Sequence, residues 1–226
     1  MRSLYIQRFS AWAPGVEGEA QWKDWAAGKR EIAGTGENPA LDFLPPLFYR
    51  RLSQLTRMTI KTVHDLMPLG EGTKLVFVSL RGEISAQYRI NRSLIEEGEI
   101  KPALFSLSVF NTPPAQTSIA LGLKAGYTAL YPAGFREGLL AAAAPILAGG
   151  AEHVALAYAD EACPPEYGGL DPDLSPPLAF AALLGAEPGG CSLPLSAGGG
   201  VSEPGRLESP ENFIRYCLGA EEPCVL

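Results

Sequence analysis

Phe48, Leu52, Leu55, Thr59, Val63 and Leu66 recur at helical spacing, and that stripe predicts one amphipathic helix from Pro46 to Met67. Arg50, Arg57, Lys61 and His64 return to a single azimuth on its other side and make a basic face. Pro46 suits the first turn, and Pro68 followed by Gly70 stops the helix. Short, continuous apolar runs at Lys74 to Leu80, His153 to Ala159 and Leu178 to Leu184 read as strands covered on both faces. Leu4 to Phe9 and Tyr127 to Tyr131 complete the predicted strands. Between them the pattern predicts helices at Ser85 to Glu96, closed by Gly98, and at Pro113 to Gly122, capped by Asn111 or Thr112. A further helix, Phe135 to Ala148, would bury Phe135, Leu139, Leu140, Ala143, Ile146 and Leu147.

Strands alternating with helices imply βαβ crossovers, and hence an α/β fold with a mostly parallel, five-stranded sheet covered by helices. Residues 16–45 are weakly patterned, with Trp22 and Trp25 on a short helix as an anchoring apolar stripe. Beyond Cys163 the chain turns rich in proline, and 186–226 reads as a Pro/Gly-rich tail with a short helix at Glu211 to Leu218 behind Ser209 and Pro210. No internal repeat or boundary divides the 226 residues, so one domain is expected.

Composition narrows the function. With 46% hydrophobic and 19% charged residues the chain is globular, and a net charge of −7 argues against nucleic acid as a partner. The amino-terminal MRSLYIQRFSAWAPG lacks the apolar run of a signal peptide, and Leu139 to Ala148 is too short to span a bilayer. A soluble, cytoplasmic protein without membrane insertion is expected. The four cysteines have no CxxC pairing, and neither His64 nor His153 has ligand spacing to one, so no metal is expected. Gly34-x-Gly36 follows no strand, and no cofactor is expected. Ser79 follows a strand, but the G-x-S-x-G pattern is missing and no histidine is a natural partner. Asp160 and Glu161 point to opposite sides of an extended chain, and are expected to tie down the loop Pro164-Pro165-Glu166-Tyr167.

The run PALFSLSVFNTPPAQTSIALGL, the strand and helix from Tyr127 to Leu147, and the element DE-x-x-P-x-x-Y resemble the short β-ketoacyl synthase-like chain length factors. Trp22 and Trp25, Arg50-Arg51-Leu52, and the segment Phe77 to Glu83 add to the resemblance, which covers most of residues 3–185. It implies the amino-terminal half of a thiolase-like condensing enzyme. Aligned on Asn111, the ketosynthase cysteine falls at Gly134; aligned on the following helix, it falls at Ala133. Either residue is inert, so no catalytic residue is assigned and the chain is not expected to be an enzyme on its own. This sequence departs from the family at Phe110, where a histidine is usual, and it lacks the second half of a synthase with its two histidines.

The resemblance implies a heterodimer with an active ketosynthase, in polyketide-like, aryl-polyene or fatty-acid-like biosynthesis. Its dimer interface would use Asn111, Tyr127, Thr128 and Tyr131, and Leu104, Phe105 and Phe110 would gate the acyl tunnel. Arg50, Arg57 and Lys61 are the expected docking face for an acyl carrier protein. Two alternatives stay open at this level. One is a free-standing acyl-transfer enzyme, with Cys163 as its least unsuitable nucleophile; the other is a homodimeric acyl-binding module.

Overall fold

The computed structural model describes residues 4–100, 102–130, 134–167, 176–193, 207 and 209–219. The strands are β1 (Leu4–Ala13), β2 (Val16–Glu17), β3 (Lys74–Val78), β4 (Tyr127–Leu130), β5 (His153–Asp160), β6 (Leu178–Gly185) and β7 (Cys191–Leu193). They form one sheet in the order β2-β1-β6-β5-β3-β4, with β7 also paired to β1. The helices are α1 (Glu19–Ala26), α2 (Pro46–Tyr49), α3 (Gln54–His64), α4 (Ile84–Glu97), α5 (Pro102–Phe105), α6 (Thr112–Leu121), α7 (Phe135–Leu147) and α8 (Pro210–Cys217).

The expected five-stranded, mostly parallel sheet is corrected to a mixed one of seven strands among the described residues. Only β3 pairs in parallel, with β4 and with β5. β6 runs antiparallel to both β5 and β1, and β1 is antiparallel to β2 and β7. Strand periodicity reports which faces are covered and carries no information on direction, so the hydrophobic runs of β5 and β6 read the same either way.

Both faces of the sheet are buried, and alternate residues serve each. Val76, Val78, Leu156, Tyr158, Phe180 and Ala182 face α7, α1 and α8 in one core. Here Phe135 meets Tyr158, Phe180 and Phe213 at ring separations of 5.2–6.2 Å. Leu75, Phe77, Ala155, Ala157, Ala159, Ala179 and Ala181 face Leu55, Met58, Val63 and Leu66 on the opposite side. The alanines let α3 lie close, and its buried Thr59 and Thr62 hydroxyls are satisfied by the carbonyls of Leu55 and Met58. Trp22 and Trp25 are the anchors expected, packed edge to face, with the Trp22 indole donating to the Ala11 carbonyl at 3.0 Å.

The predicted helix from Pro46 to Met67 is two helices. Ser53 breaks it, accepting from the Thr56 N–H at 3.0 Å as the cap of α3. The apolar stripe continues across the break because Leu52 packs with Leu41 and Ile60 while Leu55 enters the sheet core. Ser209 caps α8 as expected, accepting from Asn212. Among the described residues no helix is long and apolar enough to cross a membrane.

Candidate functional site

Because β3, β4 and β5 are parallel, their carboxyl ends share one edge of the sheet, where α/β folds gather functional groups. Three things meet there: the turn after β3, the start of α7 against Val78, and the end of β5.

At the centre lies Asp160, 2% exposed. Its Oδ1 accepts from the Ser79 hydroxyl at 2.7 Å and the Arg81 N–H at 3.0 Å, and its Oδ2 accepts from the Tyr158 hydroxyl at 2.5 Å. The Arg81 guanidinium adds an ion pair at 3.9 Å. Burial first, then the Asp160 carboxylate, pushes the Tyr158 hydroxyl well above its ordinary range, so it stays a donor. Ser79 is fully buried and spends its hydroxyl on Asp160 while accepting from the Gly82 N–H at 2.8 Å. It is a turn lock, not a nucleophile.

Glu161 points the other way, as alternation demands, and accepts from the Ser85 N–H at 2.9 Å. Both carboxylates therefore fasten the turn from Ser79 to Ser85, which corrects the expectation that they tie the 164–167 loop. Glu83, from the same turn, accepts from Ser53 at 2.8 Å and Thr56 at 2.7 Å through Oε1, while its buried Oε2 has no partner. Burial first, then the neighbouring charge of Glu161, raises the Glu83 carboxyl to about 7. Pattern reading missed Glu83, because nothing in a Gly-Glu pair after a strand distinguishes a buried carboxyl from a solvated one.

Gly134 occupies the N-cap of α7 with extended backbone (φ −61°, ψ 161°), at the spot where the resemblance puts an inert nucleophile position. Ala133, its alternative, lies outside the described residues, as does Tyr131. A Cβ added at Gly134 would stand 2.5 Å from Oε2 of Glu137, whose carboxylate folds back over the helix start. Cys163 lies just past β5 and is half-buried.

Phe110 covers this edge. Its ring lies 5.9 Å from that of Phe77 and against Gly82, where a Cβ would come within 2.8 Å of it. Gly82 also has φ +59°, so glycine is required twice over. Leu104 is half-buried and Phe105 is 58% exposed, both in α5. Asn111 and Tyr127 are brought together, the amide donating to the phenol oxygen at 3.4 Å. Tyr127 and Thr128 are exposed on β4, which ends the sheet.

The basic face is not a continuous charged surface. Arg57 turns back to the carbonyls of Leu52 and Arg50, and Lys61 pairs with Asp65 at 2.7 Å. His64 of the expected basic face stacks on Phe43 at 3.6 Å. Arg50 stays exposed. Among the described residues no cluster of three or more His, Cys, Asp or Glu could hold a metal ion.

The family model for the β-ketoacyl synthase N-terminal domain matches residues 22–210. No curated protein matches the sequence. Among solved structures, the chain is similar to the ketosynthase ApeO in complex with its chain length factor ApeC from Xenorhabdus doucetiae. The identity is 26% and the TM-score 0.71, over 81% of this chain and 79% of that one. It is also similar to the ishigamide ketosynthase/chain length factor, at 17% identity and TM-score 0.63, over 81% of this chain and 62% of that one. A third is AntDE:AntF, a type II PKS acyl-carrier protein in complex with its ketosynthase bound to the hexaketide. Here the identity is 13% and the TM-score 0.60, over 82% of this chain and 62% of that one. The chain thus spans less than two thirds of the second and third, and at those identities they establish the thiolase-like ketosynthase fold alone.

Proposed function

The chain belongs to the β-ketoacyl synthase N-terminal domain family, and from that membership we propose that it is a non-catalytic chain length factor paired with an active ketosynthase. The observation that carries this reading is the turn between β4 and α7. Tyr131-Pro132-Ala133-Gly134-Phe135 offers no thiol, amine or aliphatic hydroxyl where a condensing enzyme accepts its acyl group. A second observation supports the pairing. The similarity to ApeO in complex with ApeC covers nearly equal shares of both chains, so the matched chain is close to this one in length.

In this reading the partner supplies the thiol and the acid–base groups, an acyl carrier protein delivers acyl groups, and this chain closes the end of the partner's tunnel. A bulky apolar side chain there excludes the next two-carbon unit by overpacking, at a cost of about 1–3 kcal/mol. Phe110, half-buried over Gly82, and Leu104 and Phe105 of α5 are the residues assigned to that role. Aryl-polyene or polyketide assembly is the setting proposed. Carrier docking would fall to Arg50, because Arg57 and Lys61 are engaged within the chain.

The test is the product-length profile of the complex reconstituted with each of Leu104, Phe105 and Phe110 changed to alanine. A gate residue lengthens the products by one or more two-carbon units with the melting temperature nearly kept. Lowered melting temperatures with an unchanged profile for all three would mean that they only pack the core and that the catalytic subunit sets length.

A further inference from the structure

A groove of about 460 Å³ is lined by the α2–α3 link, α4, α5 with the residues just after it, and α6. Two guanidinium groups border it, Arg51 from the α2–α3 link and Arg89 from α4. Its walls are Ala103, Leu104 and Leu107, with Ser106 and Gln116 as the uncharged polar groups. Among the described residues no carboxylate lines it.

The charges are what make the groove unusual. The chain carries a net charge of −7, yet neither Arg51 nor Arg89 has an ion pair among the described residues. Both are exposed. The Nε of Arg89 donates to the Ser85 carbonyl at 3.3 Å, which fixes the stem of the side chain on its helix. Guanidinium groups present planar N–H donors that match the oxygens of carboxylates and phosphates. Arg89 also acts on the buried carboxylates of Glu83 and Glu161, but neither of these lines the groove. The aliphatic wall asks for something different, an apolar arm short enough for this volume. Leu104 and Leu107 are half-buried and stand ready to cover it.

We propose that the Arg51–Arg89 groove binds an oxyanion carried on a short aliphatic arm, the anion between the guanidinium groups and the arm along Leu104 and Leu107. A carboxylate and a phosphate monoester share this chemistry, and the test separates them. Leu104, assigned above to the tunnel gate, also walls this groove; the site stands on the geometry of this chain alone, and its test uses the chain without a partner.

Titration calorimetry on the full chain would use hexanoate, hexyl phosphate, hexanol and inorganic phosphate. Saturable binding of hexanoate, hexyl phosphate or both is expected, with the tighter of the two naming the head group. Arg51→Gln should weaken that binding at least tenfold while leaving the melting temperature unchanged, because Arg51 is exposed and its side chain makes no hydrogen bond or ion pair among the described residues. Arg89→Gln should weaken it as well, and raising the ionic strength should do the same to the wild-type chain. Any of four results overturns the proposal. These are no saturable binding of either amphiphile at millimolar concentration, equal binding by Arg51→Gln, hexanol binding as tightly as the anions, and inorganic phosphate binding as tightly as hexyl phosphate.

Discussion

Gly134 sits at the amino end of α7 with the Glu137 carboxylate folded over the place a Cβ would take. In nucleophilic cysteines a helix amino terminus or a neighbouring cation lowers the thiol pKa, and a carboxylate in contact does the reverse. Gly134→Cys should therefore react with an alkylating thiol probe at pH 7 no faster than an ordinary exposed cysteine. Gly134→Cys combined with Glu137→Gln should react several-fold faster. Equal rates for the two variants would show that Glu137 has no say in the chemistry of that turn. The inert residue was legible in the sequence because an aligned position needs only a name. Its neighbour was not, since a glutamate in the first turn of a helix usually signals nothing beyond favourable interaction with the helix dipole. Asp160 shows the same limit at longer range. Its partners at Ser79, Leu80 and Arg81 are some eighty positions away in the chain, and no local pattern announces them.

Among the described residues β4 has one neighbour in the sheet, β3. The Leu75 N–H donates to the Gly126 carbonyl at 3.2 Å, which fixes the phase of the parallel ladder. In such a ladder backbone groups alternate sides, so Thr128 turns its N–H towards β3, while Tyr127 and Ala129 turn theirs outwards. Two proline variants thus separate two functions of one strand. Thr128→Pro removes a hydrogen bond inside the chain and should lower its own stability, by about 1–3 kcal/mol. Ala129→Pro leaves that ladder whole and removes an outward donor, so it should fold normally and fail to co-purify with a partner docked on β4. A chain with Ala129→Pro that still co-purifies in full would place the interface elsewhere. Strands β1, β3, β4, β5 and β6 and the helices α4, α6, α7 and α8 were legible because caps, glycine stops and covered runs agree with one another, whereas β2 and β7 are too short to carry a period. The break between α2 and α3 was not, because Leu52 and Leu55 keep the helical period while packing into different cores.

Folding as a whole should depend on the proton of Glu83. Its carboxyl is raised to about 7 by burial and by Glu161, with hydrogen bonds from Thr56 and Ser53 opposing the rise. In the unfolded chain the same group ionises near its ordinary value, so between those two pH values the folded state holds a proton that the unfolded state has lost. The stabilisation is complete below about pH 4.5 and is lost as pH rises through about 7. At roughly 1.4 kcal/mol per unit, the loss is on the order of 1–3 kcal/mol. Glu83→Gln keeps an acceptor for Ser53 and Thr56 and cannot ionise. Urea denaturation at pH 5 and pH 8 should show the wild-type chain losing stability on that order and the variant losing less than half as much. Matching losses would mean that other groups carry the dependence. The three-layer architecture was readable from alternation alone, but the strand directions were fixed only by long-range pairing.

Among the described residues the two margins of the sheet are unequal, and that inequality limits growth from edge to edge. On the β1 side the margin is broken into β2 and β7, two and three residues long, sitting at opposite ends of a ten-residue strand. Such fragments offer no continuous row of donors and acceptors to an incoming chain. The β4 side is the other margin, with Tyr127 and Thr128 open to it. A body with one adhesive margin and one blunted margin can take a single neighbour there and then has nothing left to extend from. Growth into a filament through the sheet needs two adhesive margins, and among the described residues the sheet keeps one.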